Sequence, residues 1–116
     1  MATRRIVVNI PTENMLAAEY FYGEILGLQP LMDMTWIRTY GNDHQMQVQI
    51  SFLSEGGAGT PVPDISIEVD DVDQVYQQMK KGGFKIIYGP NDESWGVRRF
   101  FVEDPFGKTV NILMHR

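Results

Sequence analysis

The chain has 116 residues, with ten Lys and Arg against fifteen Asp and Glu for a formal charge of −5, and it contains no cysteine. That length suits one domain with a real core. The acidic balance argues against nucleic acid as a partner, and the lack of Cys excludes a disulfide framework, a thiolate nucleophile and a Cys-based metal site. No apolar run approaches the ~18 residues that a membrane helix needs, and Met1–Arg5 leads straight into Ile6-Val7-Val8 with no secretory segment before it. A cytoplasmic protein with a small-molecule partner and no membrane contact is expected.

Arg5–Ile10 is rich in β-branched residues and places Ile6, Val8 and Ile10 on one face of a strand. A helix is expected from about Asn14 to Leu26, with Ala18, Tyr22 and Ile25 as its apolar stripe and Gly27 as its stop. Three extended runs follow at Leu28–Met34, Thr35–Gly41 and Met46–Phe52, the last alternating Val48, Ile50 and Phe52 against Gln47, Gln49 and Ser51. Residues 54–63 are the one linker-like stretch.

After it the pattern restarts. Ile65, Ile67 and Val69 alternate with Asp64, Ser66 and Glu68; Asp71 is a helix N-cap with Gln74 at capping-box spacing; Val72, Val75, Tyr76 and Met79 make one helix face, stopped by Gly82-Gly83. Strands are expected at Phe84–Tyr88, Val97–Glu103 and Lys108–Met114, the last two joined by the turn Asp104-Pro105-Phe106-Gly107. The reading is therefore an α+β domain over 1–116 built of two tandem βαβββ modules, about 4–53 and 64–116. A ferredoxin-like sandwich also begins βαβ, but it needs one set of four strands where this chain supplies two.

Four segments carry a resemblance. Phe21-Tyr22-Gly23-Glu24-Ile25-Leu26-Gly27-Leu28 resembles F-Y-x-x-x-L-G-[LF], and Asp64–Asp73 resembles H-I-x-[FL]-x-V-D-D-[VL]-[DE]. Trp95-Gly96-Val97-Arg98 and Phe101–Gly107 match W-G-x-R and F-x-x-D-P-x-G. In this order they are similar to the vicinal-oxygen-chelate superfamily of glyoxalase I, bleomycin-resistance proteins and extradiol dioxygenases. The resemblance implies that each module is an incomplete barrel, that the two enclose a cup, and that the protein is a homodimer.

The resemblance also places four metal-ligand positions, at Val7, Gln49, Asp64 and Asn111. Val7 has no donor atom, Gln49 and Asn111 offer neutral amides, and Asp64 is the single anion. Catalytic Zn²⁺, Ni²⁺ or Fe²⁺ normally takes imidazole, thiolate or several carboxylates, so no metal and no other cofactor is expected; a hard ion such as Mg²⁺ would be held weakly. His44 and His115 are expected on the surface.

Strand parity sends the apolar sets to the helices and leaves Val7 and Asn9, Gln47, Gln49 and Ser51, Asp64, Ser66 and Glu68, and Thr109, Asn111 and Leu113 to line the cup, or else a solvated outer face. Trp36, Arg38 and Tyr40 share a face of the third strand, and Trp95 precedes the seventh. Planar rings beside polar groups suit a flat polar ligand, with packing at module or subunit contacts as the alternative for both Trp residues. Arg98 has either an anionic ligand or an acidic side chain as its partner.

Trp36, Arg38, Gln49, Asp64, Trp95, Arg98 and Asn111 are thus the expected ligand contacts. The favoured function is metal-free binding of a small, antibiotic-like molecule, cationic or polar if Asp64 and Glu68 set the field. Whether the protein is an enzyme is left open. The alternative is a lyase or isomerase with Asp64 or Glu68 as base, or with a weakly held divalent metal, and a third class is a protein-interaction module.

Overall fold

The computed structural model describes residues 7–8, 10–42 and 51–116. The second half holds its elements in the expected order: β3 (Ile65–Glu68), α1 (Val72–Lys81), β4 (Ile86–Asp92), β5 (Val97–Glu103) and β6 (Thr109–His115), after a first-half hairpin of β1 (Gln29–Met34) and β2 (Ile37–Gly41). The four later strands form one sheet in the order β3-β6-β5-β4. β3 runs parallel to β6, with Ile65 opposite Val110 and Ile67 opposite Ile112, and the other pairings are antiparallel.

α1 starts where the Asp71 carboxylate accepts the Gln74 backbone N–H at 3.1 Å. Lys80 and Lys81 stand in its last turn, where the carbonyl end of the helix favours positive charge, and Gly83, at φ +79°, turns the chain away. Its buried face, Val72, Val75 and Met79, lies on Phe100, Val102, Val110 and Ile112 of the sheet.

The first half contributes a helical turn, Met15–Ala17, and a wider helical segment, Glu19–Ile25. The Leu26 N–H reaches back five residues to the Phe21 carbonyl at 3.2 Å, a spacing wider than that of an α-helix. A wider turn narrows the angle between consecutive side chains, so both Phe21 and Tyr22 are buried together with Ala18 and Ile25. This stripe joins the same core as α1 and the second sheet.

β1 is exposed along its whole length. The turn between β1 and β2 holds Thr35 and Trp36, so Trp36 sits at a hairpin tip instead of sharing a strand face with Arg38 and Tyr40. Of the expected first strand, Val7, Val8 and Ile10 are in no paired strand and the rest lies outside the described residues; Met46–Ile50 of the expected fourth strand also lie outside them. Among the described residues no helix is long and apolar enough to cross a membrane.

Candidate functional site

A cavity of about 670 Å³ lies between the hairpin, the segment before the first helix and the β3 edge of the sheet. Ile65 and Ile67 of β3, Ala18 and Tyr22 of the helical segment and Phe106 of the last turn form one side. Leu31 and Trp36–Gly41 of the hairpin also line the cavity, as do Val7, Val8 and Ile10–Thr12 of the segment before the first helix. The size falls within the range of small-molecule sites, and the aliphatic and aromatic lining is of the kind that buries a ligand's carbon skeleton.

Arg38 is the one charged residue among the described residues that line it. Its Nη2 donates to Glu19 Oε2 at 3.1 Å, and the same oxygen accepts the Tyr40 hydroxyl at 2.8 Å. The guanidinium also lies over the Tyr40 ring, 5.4 Å from its centroid. Burial first, then the bond to Glu19, pushes the Tyr40 phenol above its usual pKa, while Arg38 opposes the shift. Arg38 Nε is buried and has no hydrogen-bond partner among the described residues.

Tyr22 is held by its hydroxyl, which donates to Asp104 Oδ2 at 2.6 Å. Asp104 Oδ1 accepts the backbone N–H groups of Phe106 and Lys108, each at 2.8 Å. The F-Y segment and the D-P-F-G turn, 82 residues apart, therefore meet in one buried hydrogen bond, and Tyr22 and Phe106 both line the cavity.

The other expected site residues are dispersed. By strand alternation Asp64, Ser66, Glu68 and Asn111 share the sheet face away from α1. The Asp64 carboxylate accepts the Thr109 backbone N–H at 2.8 Å, and Glu68 pairs with His115 at 3.1 Å on the exposed surface. Asn111 is buried; its Nδ2 donates to Ser66 Oγ at 3.2 Å and its Oδ1 has no partner among the described residues. Arg98 is on the opposite face, paired with Asp73 at 2.8 Å and Asp92 at 3.0 Å, so its partners are acidic side chains. The hydrogen bonds and charge of Arg98 hold the Asp73 carboxyl below its usual pKa.

Trp95 lies over the guanidinium of Arg99, 5.0 Å away. None of Asp64, Glu68, Trp95, Arg98 and Asn111 lines the cavity; Trp36 and Arg38 do. Gln49 is outside the described residues.

The donor set does not suit a catalytic transition metal. Val7 carries no donor, Asp64 is already engaged by a backbone N–H, and Asn111 brings one neutral amide oxygen, a poor substitute for imidazole or thiolate.

Arg99 is a residue that sequence reasoning did not single out. It is buried in the sheet, ion-paired with Glu93 at 3.3 Å and donating to the Gly56 and Gly57 carbonyls at 2.7 and 3.1 Å. The stretch expected to be a linker is thus a built loop, closed on itself by Gly56 N–H to Thr60 O at 2.7 Å and Thr60 N–H to Gly57 O at 3.0 Å. The signal available beforehand was an arginine at the same strand parity as Val97 and Phe101. The apolar cavity wall at Leu28, Leu31, Ile65 and Ile67 had no such signal.

The family model of the Glyoxalase/Bleomycin resistance protein/Dioxygenase superfamily matches residues 5–112. Similar solved structures include TnmS3, an antibiotic binding protein from Streptomyces sp. CB03234, with a TM-score of 0.66 and 20% identity over 92% of this chain and 91% of that one. A protein assigned to the glyoxalase family from Bacillus anthracis has a TM-score of 0.64 and 21% identity over 100% and 96%. A superfamily member from Sphaerobacter thermophilus has a TM-score of 0.59 and 19% identity over 97% and 94%. At these identities the likeness establishes the fold. No curated protein matches the sequence.

Proposed function

Because the chain belongs to the Glyoxalase/Bleomycin resistance protein/Dioxygenase superfamily, we propose that it binds a small, largely apolar organic molecule, of the antibiotic kind, without a resident metal. The observation that carries this reading is the 670 Å³ cavity with its aromatic and aliphatic lining. Trp36 and Arg38 are the proposed contacts. The antibiotic-binding neighbour supports the ligand class by analogy of fold. The lyase or isomerase alternative is weakened by the carboxylates it needs, since Asp64 caps a backbone N–H and Glu68 pairs with His115, both away from the cavity.

A homodimer belongs to the same proposal. Leu31, Met32, Met34 and Trp36 of the hairpin are exposed, and an apolar surface of this kind is commonly covered by a partner.

Thermal unfolding with a panel of aromatic antibiotics, with and without EDTA, tests the binding reading. A ligand at a hundredfold excess over its Kd stabilises the native state by about 2.7 kcal/mol, and the shift is expected to survive chelation. Stoichiometric metal retained through dialysis, with ligand binding lost on its removal, overturns the metal-free reading.

A further inference from the structure

Resting on the reading of the cavity as a ligand site, we propose that Glu19 sets its charge preference: by closing on Arg38 before any ligand arrives, it makes the cavity select uncharged planar aromatic molecules over both anions and cations. Glu19 opens the wider helical segment and is not itself among the lining residues. Its Oε2 accepts both Arg38 Nη2, at 3.1 Å, and the Tyr40 hydroxyl, at 2.8 Å. One carboxylate oxygen thus holds the charged residue of the cavity wall and the phenol two positions beyond it.

The geometry leaves that charge closed. The guanidinium lies over the Tyr40 ring at 5.4 Å, the side chain is 16% exposed, and Nε is buried out of a ligand's reach. A ligand therefore meets a paired cation, whose field is opposed by an equal charge one hydrogen bond away. An ion that leaves water for this cavity gives up hydration that only a free counter-charge or several donors would restore, whereas a neutral ring has little to give up.

No other charged residue is among the described residues that line the cavity. Asp33, opposite Arg38 in the hairpin register, is exposed, and water and salt screen it. Asp64 and Glu68, on which the expectation of a cationic ligand rested, do not line the cavity. Tyr22, Trp36, Tyr40 and Phe106 supply flat surface for the ligand's ring.

The test uses three naphthalenes that differ in one substituent: 1-tert-butylnaphthalene, its cationic isostere trimethyl(1-naphthyl)ammonium, and 1-naphthalenesulfonate. Each is measured by displacement of the fluorescent probe N-phenyl-1-naphthylamine. The wild-type chain is expected to bind the neutral compound about tenfold more tightly than either ion. Glu19→Gln keeps an oxygen acceptor for Arg38 and Tyr40 and removes only the charge, so the sulfonate is expected to gain about fivefold and the ammonium to lose about as much. Arg38→Met is expected to shift the two ions the opposite way, and the double variant, which removes the pair whole, to return their ratio to within about twofold of wild type. A general loosening of the wall moves both ions alike and does not imitate this pattern. An ion that binds the wild type as tightly as the neutral compound, or an ion ratio that Glu19→Gln leaves unchanged, overturns the proposal while leaving the cavity a ligand site. If neither the probe nor the neutral compound binds, or if Trp36→Ala weakens neither, the ligand-site reading fails and the proposal with it.

Discussion

Replacing Tyr22 by Phe removes one hydroxyl and keeps the ring, which isolates the bond between the two halves of the chain. That hydroxyl donates to a carboxylate that is 4% exposed, at 2.6 Å. A bond to a charged acceptor contributes about 1.5–3 kcal/mol. Asp104 keeps its two backbone donors at Phe106 and Lys108 and is not stranded, so the loss falls in the lower part of that range, about 2 kcal/mol at pH 7. For a chain of this size that is a drop of roughly 8 °C in Tm.

The pH dependence supplies an independent check. Burial first, and then the bond to Asp104, raises the Tyr22 phenol far above its usual value. The folded state therefore keeps a proton that the unfolded chain releases near pH 10. The contribution of Tyr22 is complete below about pH 10 and declines above it by about 1.4 kcal/mol per pH unit. The Tyr40 phenol is raised as well, but it is present in both proteins, so the difference between wild type and Tyr22→Phe isolates Tyr22. Urea unfolding at pH 7, 10 and 11 measures it. A difference below about 0.5 kcal/mol at pH 7, or one that does not shrink above pH 10, refutes the reasoning.

Arg99→Met strands the Glu93 carboxylate, itself 6% exposed, and releases two loop carbonyls. Breaking a buried pair costs about 3–5 kcal/mol, and since the Tyr88 hydroxyl still donates to Glu93, the lower figure is expected in urea unfolding, with faster proteolytic cleavage between residues 54 and 61. Asp71→Ala removes the side chain that accepts the Gln74 N–H and is expected to cost about 1 kcal/mol, read as a lower urea midpoint with an unchanged slope.

The second half was legible almost residue by residue. The apolar residues of β3 alternate and those of α1 recur at helical spacing, and β5 runs over Val97–Glu103, the span expected for it. β4 departs from expectation because Gly89-Pro90 reads as a break, yet the strand runs on to Asp92 across an irregular register between Tyr88 and Asn91.

The site was much less legible. Parity separates the Ile65/Ile67 face from the Ser66/Glu68 face, but it does not say which of them a distant hairpin will cover. Polar residues drew attention to the second face, whereas the cavity opens on the first, apolar one. Trp36 and Arg38 line it for different reasons from those inferred, one from a hairpin tip and the other from the strand that follows.

The glycine-rich stretch shows why composition misled. Flexible linkers and tightly packed loops both select glycine, the first for entropy and the second for space. Here space decides: a Cβ on Gly56 would stand 2.0 Å from the Pro61 carbonyl oxygen, and one on Gly57, already at φ +89°, would stand 2.9 Å from the Trp95 ring. The cause lies with Arg99, more than forty residues downstream, beyond the reach of any local reading. The loop that Arg99 holds delivers the chain to β3, whose Ile65 and Ile67 line the cavity together with Trp36 and Arg38. A residue outside the site is thereby tied to its shape, so loosening the loop should weaken ligand binding as well as the fold.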